Sequence, residues 1–271
     1  MSLPWTSIIL DYVCPSLGCI MSSIMFAAPV QDLRRALQEG TLGCLNPLPW
    51  SIMTGNCLGW SAYGYCTKDP FVLASNLPGL ILSIWLNSGA AKLQFYDSLR
   101  QQHVQNQPND EEEEEERTSH RSTNQEMIIT VPQERMLLRI LILWSFILVW
   151  AGWIQHSFSQ ASIVGICVNV NLVFFYGAPL EAMSRVVQTK SSDSIHIPTM
   201  IMNWINTSFW MAYGFARMDP IIYVPNGIGL VLGVAQGILV CSFPRHHHSS
   251  IPVDDSNRGL VDQESDSHIM T

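Results

Sequence analysis

The sequence predicts an all-α transmembrane protein of seven helices, arranged 3+1+3 as two parallel three-helix repeats joined by a linker helix. Three observations predict it. The chain resembles itself at a fixed offset of 150 residues, and its basic residues sort to one side of a membrane. Only 13% of its residues are charged, against about 25% in soluble domains, and 48% are hydrophobic.

The repeat runs without gaps through its most distinctive positions. Ala28-Pro29 returns as Ala178-Pro179, and Asp69-Pro70 returns as Asp219-Pro220. Further equivalent pairs are Asn56 and Asn206, Trp60 and Trp210, Tyr63 and Tyr213, and Asn76 and Asn226. Self-similarity at a fixed spacing indicates one supersecondary unit used twice, and here that unit is apolar.

Seven apolar stretches have the length of membrane spans, since about 20 helical residues cross a hydrocarbon core of about 30 Å. They lie near residues 8–30, 47–67, 71–91, 136–156, 161–182, 197–216 and 219–243. No Lys or Arg precedes the first stretch, so it is expected to be retained rather than cleaved as a secretory signal.

The basic residues predict an amino terminus outside and a carboxyl terminus in the cytoplasm, because Lys and Arg mark cytoplasmic loops. With seven spans, only Lys68 and Arg217 fall on the outer side among the residues that flank the spans. Both repeats then have the same orientation, which requires one extra crossing between them. The expected domains are a first repeat (1–96), a disordered acidic cytoplasmic linker (97–135), a linking helix (136–158), a second repeat (159–243) and a disordered cytoplasmic tail (244–271).

Composition excludes several classes of partner. The net charge of -8 comes largely from the acidic run at residues 110–116, so it characterises a linker and gives no indication of a nucleic-acid partner. The seven cysteines contain no Cys-x-x-Cys pair, and we interpret them as packing thiols. His246–His248 is interpreted as a solvated stretch rather than a metal site. We expect no metal and no cofactor, and the lipid bilayer is the expected surrounding.

The predicted hydrocarbon zone holds almost no ionisable side chain; only Asp11 and His156, near the outer ends of their spans, come close to it. Proton-coupled carriers need such groups at depth. The polar residues that do lie at depth are neutral or aromatic, chiefly Asn56, Asn76, Asn206, Asn226, Trp60 and Trp210. Amides pair with hydroxyl groups and indoles stack on the C–H face of a pyranose, which favours a sugar ligand. The alternative is that these residues join helices. Their recurrence in both repeats favours a central cavity on a twofold axis.

Two further sets of residues suggest moving parts. Pro29, Pro49, Pro179 and Pro198, here called the proline set, lie near cytoplasmic ends of spans and could form an inner hinge, or could be ordinary helix-end prolines. Tyr63, Asp69, Tyr213 and Asp219, here called the outer gate, lie near the outer ends of spans. A Tyr hydroxyl could donate to an Asp carboxylate across the axis, although each Asp could instead cap the helix that follows.

Several motifs together resemble the SWEET family of sugar uniporters over both repeats. In the first repeat they are Asn46-Pro47-Leu48-Pro49, Asn56 to Trp60, Ala62-Tyr63-Gly64, Asp69-Pro70 and Asn76. In the second they are Pro179-Leu180, Thr189-Lys190-Ser191, Trp210, Tyr213-Gly214 and Pro225-Asn226-Gly227.

This resemblance implies bidirectional facilitated diffusion of a sugar by alternating access, without a cofactor. It implies a pocket formed by Asn76, Asn226, Trp60 and Trp210, which Asn56 and Asn206 would also line. Met25 and Phe175 would tune ligand size, and their bulk favours a monosaccharide. The proline set would act as the hinge, and Tyr63 would pair with Asp219 in the outer gate. Pro198 lies twelve residues before Trp210 whereas Pro49 lies eleven before Trp60, which departs from a strict repeat.

Two other functions remain open on sequence alone. A seven-helix receptor would share the topology, but receptors of that type are not built from a tandem three-helix duplication. A Pro-Gln-loop carrier would need a Pro-Gln pair inside a span, and Pro132-Gln133 is expected in the linker. The plasma membrane is the expected location. A homo-oligomer is compatible with the sequence, which does not identify the sugar.

Overall fold

A computed structural model of the chain describes residues 5–105, 131–153 and 157–244, and this described part is helical without strands. Within these ranges nine α-helices follow one another, with a π-helical segment (Ile9–Val13) after the first and a 3-10 turn (Ser192–Ser194) before the eighth. The α-helices are α1 (Trp5–Ile8), α2 (Cys14–Ala27), α3 (Val30–Glu39), α4 (Leu48–Thr67), α5 (Pro70–Gln105), α6 (Pro132–Trp153), α7 (Ser157–Thr189), α8 (Ile197–Ala216) and α9 (Pro220–Ser242).

The predicted class of seven transmembrane helices is confirmed, with α1 and α2 forming one continuous first span through the π-helical segment. Five helical stretches of the described chain are long and apolar enough to cross a membrane by composition alone: Trp5–Glu39, Pro70–Gln102, Pro132–Trp153, Gln160–Thr189 and Pro220–Ser242. The remaining two spans, α4 and α8, are the equivalent middle helices of the two repeats. They carry Asn56 and Trp60, and Asn206 and Trp210, respectively, and these polar and aromatic residues contribute to their lower hydropathy.

Several predicted boundaries were wrong because helices continue beyond their apolar segments. α5 extends to Gln105 although a disordered linker was expected from residue 97, and α6 begins at Pro132, inside that expected linker. α7 continues to Thr189, past the expected end near residue 182. The central part of the linker (106–130), His156 and the tail from residue 245, with His246–His248, lie outside the described residues.

The third helix of each repeat begins at an Asp-Pro pair for the same physical reason. Asp69 Oδ1 accepts hydrogen bonds from the Phe71 and Val72 backbone N–H groups, at 3.0 and 3.1 Å. Asp219 Oδ1 accepts from the Ile221 backbone N–H at 3.0 Å. Such a cap satisfies backbone donors that a helix start leaves free, and proline fits the first helical position because it has no N–H to satisfy.

Helix packing follows a pseudo-twofold pattern. Within each repeat the third helix contacts both others, so α5 packs on α2 and α4 while α9 packs on α7 and α8. Between repeats, the first helix of one packs on the second helix of the other, as α2 does on α8 and α7 on α4. The linker helix α6 contacts α4, α5 and α7. Two copies in parallel orientation produce this reciprocal arrangement, and the space between them lies on the pseudo-twofold axis.

Two buried clusters lie at different depths. One includes Trp60, Trp210, Tyr63 and Tyr213 and joins the two repeats. The other is formed by buried residues of the first repeat, on α3, α4 and α5: Leu33, Ala36, Trp50, Met53, Cys57, Leu86, Ala90 and Leu93. Phe175 of the second repeat packs against it. The inner half of the first repeat is therefore packed mainly by its own residues.

Candidate functional site

A cavity of about 550 Å³ lies between the two repeats, within the size range of small-molecule sites. All eight residues predicted to bind ligand line it: Met25, Asn56, Trp60, Asn76, Phe175, Asn206, Trp210 and Asn226. Four come from each repeat, because the pseudo-twofold axis brings equivalent helix faces together.

Asn76 and Asn226 each bond back to their own helix. Asn76 Nδ2 donates to the Val72 carbonyl at 2.9 Å, and Asn226 Nδ2 donates to the Ile222 carbonyl at 2.7 Å. A group that contacts a backbone carbonyl must be the amide nitrogen, since a carbonyl oxygen only accepts. The side-chain oxygens of both residues therefore remain as acceptors, and no described residue donates to either of them.

The two remaining asparagines have unequal surroundings. Ser22 Oγ donates to Asn206 Oδ1 at 3.0 Å and accepts from Trp210 Nε1 at 3.2 Å. Asn56 is 8% exposed, and its Oδ1 is buried without a hydrogen-bond partner in the described chain. Ser22 also lines the cavity, and neither its contact with Asn206 nor its contact with Trp210 was anticipated from the sequence. Its repeat-equivalent position is Leu172, so the 150-residue pattern gave no signal for it.

The outer end of the cavity is closed by reciprocal hydrogen bonds of the outer gate. Tyr63 Oη donates to Asp219 Oδ2, and Tyr213 Oη donates to Asp69 Oδ2, each at 2.7 Å. The other oxygen of each carboxylate is the helix cap described above, so capping and tyrosine pairing occur together.

Aromatic rings continue the closure towards the cavity. Trp60 packs edge-on against Tyr63 with centroids 5.8 Å apart, and Trp210 packs similarly against Tyr213 at 5.9 Å. Both tryptophans line the cavity, whereas none of the four gate residues does. The gate therefore lies beyond a tryptophan layer that forms the end of the cavity.

The opposite end of the cavity reaches solvent. Ser194, His196 and Thr199 line the cavity and are exposed, and they lie where α7 connects to α8. The described cavity is thus closed at the gate end and open at the end that the basic residues assign to the cytoplasm.

The structure gives the proline set different local settings. Pro29 lies in the turn between α2 and α3, whereas its equivalent Pro179 lies inside the unbroken α7 and lines the cavity. Pro49 and Pro198 are each the second residue of their helices. The one-residue departure from the repeat therefore reflects an earlier start of α8, not a different place for the proline in its helix.

A polar cluster that sequence reasoning missed joins the linker helix to the first repeat. Gln133 is 4% exposed, and its Nε2 lies 2.6 Å from Asn87 Oδ1, 3.0 Å from Ser51 Oγ and 2.9 Å from the Pro47 carbonyl. Asn87 Nδ2 donates to Thr54 Oγ1 at 3.1 Å. The assignment of Pro132-Gln133 to the linker was wrong, since the pair begins α6. A single Gln in a polar stretch has no periodic signal for burial.

The described chain offers no group of three His, Cys, Asp or Glu side chains that could hold a metal ion. The cavity lining likewise contains no Asp, Glu, Lys or Arg among the described residues. Its polar groups are amides, hydroxyls, indoles and, at the open mouth, His196. This arrangement can hydrogen-bond a neutral polyhydroxylated molecule and pack against its apolar face.

Comparison with known proteins places this architecture among sugar transporters. A sequence model of the family described as "Sugar efflux transporter for intercellular exchange" matches residues 13–86 and 162–248, more than half of the chain. The rice bidirectional sugar transporter SWEET3b is 23% identical over 94% of this chain and 89% of its own length. The Arabidopsis thaliana bidirectional sugar transporter SWEET7 is 26% identical over 82% and 76%, respectively.

Similarity extends to animals and to a solved structure. The rat sugar transporter SWEET1 is 22% identical over 84% of this chain and 90% of its own length. A solved structure of a eukaryotic SWEET transporter covers 86% of this chain and 96% of that chain, with a TM-score of 0.67 and 18% identity. The structural match supports the seven-helix fold.

Proposed function

We propose that this protein carries a sugar passively in both directions across a membrane; it belongs to the family of sugar efflux transporters for intercellular exchange, whose model matches both of its repeats. One observation supports this most strongly. Eight residues, four from each repeat, line a single cavity that has a hydrogen-bonded gate at one end and an opening at the other.

The neutral lining supports transport without a coupled ion. A carrier driven by protons needs an ionisable group at depth to bind and release the proton. In the described chain the cavity is lined by carboxamides, hydroxyls and indoles, with His196 only at its open mouth. The sugar gradient alone would then drive net movement.

Alternating access would follow from opening the outer gate while the inner mouth closes. The described state faces the end where α7 joins α8, which the basic residues indicate is cytoplasmic. The proline set is the proposed inner hinge, with Pro179 on the cavity wall and Pro29 in a turn. An integral position in the plasma membrane, with the amino terminus outside, fits this orientation.

Ligand size is proposed to be that of a monosaccharide. Met25 and Phe175 occupy equivalent positions on α2 and α7, and both line the cavity with bulky side chains. The receptor alternative gains no support from this geometry or from the relatives. The pair that a Pro-Gln-loop carrier needs is present at the start of the span α6, at Pro132-Gln133, but the family model and the relatives are those of sugar transporters and favour the sugar.

The experiment is uptake of radiolabelled glucose by cells that lack their own hexose carriers, comparing the protein with Asn76→Ala and Asn226→Ala. Both variants are expected to lose most of the flux, since each removes an acceptor from the cavity. Asn46→Ala is the control, because Asn46 is exposed and lies outside the cavity. Unchanged flux in both pocket variants at equal surface abundance would discard the assignment.

A further inference from the structure

Ser22 connects the two repeats inside the cavity through a directed chain of hydrogen bonds. An indole N–H only donates, so Ser22 Oγ is the acceptor for Trp210 at 3.2 Å. The single hydroxyl proton of Ser22 is donated to Asn206 Oδ1 at 3.0 Å. The carbonyl oxygen of Asn206 is thereby occupied, and its two N–H groups remain for a ligand.

The equivalent place in the other half of the cavity lacks this chain. There Leu172 stands in place of Ser22, Asn56 in place of Asn206 and Trp60 in place of Trp210, and all three line the cavity. Leucine cannot donate a hydrogen bond, and Asn56 Oδ1 is buried without a partner in the described chain. A buried carbonyl oxygen without a donor is energetically unfavourable, so a donor supplied by a ligand would stabilise it.

We propose that Ser22 is a positioning residue that makes the two halves of the cavity differ in hydrogen bonding: one half donates to a ligand and the other accepts from it. Asn206 donates to a sugar oxygen, whereas Asn56, whose buried Oδ1 must turn into the cavity, accepts from a sugar hydroxyl. The two repeats carry the same residue type at Asn56 and Asn206, but each asparagine forms a different kind of hydrogen bond with a bound sugar. This inference rests on the proposed function, since it concerns how that same cavity orients its ligand.

Fluorinated sugars separate the two roles. A fluorine in place of a hydroxyl can still accept a weak hydrogen bond but cannot donate, and a deoxy position does neither. A hydroxyl that receives from Asn206 should therefore tolerate fluorine better than hydrogen. A hydroxyl that donates to Asn56 should tolerate neither.

The test measures inhibition of radiolabelled glucose uptake by a panel of deoxy and fluorodeoxy glucoses. Wild type is expected to show at least one position where the fluoro analogue inhibits about two- to threefold better than the deoxy analogue, the lower end of the effect of one neutral hydrogen bond, because fluorine is a weak acceptor. Ser22→Ala should abolish that preference, because Asn206 is no longer held with its N–H groups free. Ser22→Thr keeps a hydroxyl and should restore it.

Two further variants complete the design. Ser23→Ala is the matched control, since Ser23 bonds only to the Cys19 carbonyl of its own helix, at 2.9 Å, and does not line the cavity. Leu172→Ser introduces a donor for Asn56 Oδ1. At a sugar position where the fluoro analogue does not inhibit wild type, Leu172→Ser should become sensitive to that analogue. This result tests the inference even if Ser22→Ala fails to reach the cell surface.

The outcomes distinguish the two levels of the argument. Absence of glucose uptake by surface-expressed wild type would contradict the proposed function. Normal uptake, with the same fluorine preference in wild type and Ser22→Ala, or no gained tolerance in Leu172→Ser, would overturn the role of Ser22 and leave sugar transport intact.

Discussion

Each carboxylate of the outer gate serves local structure with one oxygen and long-range closure with the other. Asp219 Oδ1 caps α9 while its Oδ2 accepts from Tyr63, and Asp69 divides its oxygens in the same way towards α5 and Tyr213. The helix cap fixes the carboxylate so that the tyrosine meets a pre-oriented acceptor. Removing a tyrosine hydroxyl therefore weakens the gate without removing the cap.

Tyr63→Phe is expected to favour the outward-open state. A hydrogen bond to a charged group contributes about 1.5–3 kcal/mol, which corresponds to roughly a tenfold or larger change in the population of the closed gate. The measurement is labelling of Leu172→Cys, at a half-buried position of the cavity wall, by a membrane-impermeant maleimide added outside, in a protein without its seven native cysteines. Labelling should accelerate in Tyr63→Phe.

Tyr65→Phe provides the control for that experiment, since Tyr65 lies on the same helix but is 78% exposed. Equal labelling rates in Tyr63→Phe and wild type would contradict a gating role. Labelling that accelerates equally in Tyr65→Phe would point to general loosening instead.

At the scale of residues, the repeat predicted those cavity-lining side chains that recur in both halves of the chain. Residues that recur at the 150-residue offset, such as Asn76 and Asn226, were found because duplication marks them. Ser22 was missed because Leu172 breaks the pattern at its equivalent position. Its partners lie 184 and 188 residues away in the chain, so only the folded arrangement reveals them.

At the scale of elements, α4 is held closely between the linker helix and α7 through a glycine. A Cβ added at Gly59 would lie 2.6 Å from Trp144 Cζ2 and 2.8 Å from Val168 Cγ2. Gly59→Ala should therefore destabilise the protein by about 1–3 kcal/mol despite the better helix propensity of alanine. Thermal unfolding in detergent should show a lower midpoint.

Gly152→Ala in α6 is the matched change, because no atom of the described residues lies within 4 Å of the added methyl group. It should leave the midpoint unchanged or slightly raise it. If Gly59→Ala behaved like Gly152→Ala, the close packing of α4 against α6 and α7 would be wrong.

The buried cluster at the start of α6 gives another prediction for elements. Gln133→Ala removes the side chain that joins the Pro47 carbonyl, Ser51 and Asn87, and so leaves buried polar groups with fewer partners. Destabilisation of about 1–3 kcal/mol is expected, seen as a lower unfolding midpoint. Gln101→Ala, at an exposed position of α5, should have little effect on the midpoint. Equal midpoints for the two variants would contradict a stabilising role of the Gln133 hydrogen bonds.

The ends of helices could not be predicted from the sequence as well as the membrane spans. Apolar length predicted the membrane spans, but α5 continues to Gln105 through polar residues that carry no hydrophobic signal. Asp97, within that extension, accepts from Thr41 Oγ1 at 3.3 Å, a tertiary contact that a window of sequence cannot register. Helix ends in solvent depend on such contacts and on local propensity rather than on burial.

At the scale of the whole molecule, similar repeats have dissimilar inner halves. The first repeat has its own buried cluster and the Gln133 connection to α6, whereas the second borders the open mouth through Pro179, Ser194 and Thr199. In the proposed mechanism, closing the mouth would bring the second repeat towards a first repeat that is already packed. Such a motion would exchange access between the two faces and would need no energy source besides the sugar gradient.

Transport should accordingly be equilibrative and exchangeable. In proteoliposomes, labelled glucose should reach the external concentration and no more, and an imposed proton gradient should not change that level, because the described cavity has no buried acidic or basic group to carry the proton. Preloading the vesicles with unlabelled glucose should speed entry of the labelled glucose, since a carrier with bound sugar can change its open face in either direction. Accumulation above the external concentration under a proton gradient would show that an ionisable group takes part, and the neutral-cavity mechanism would then be wrong.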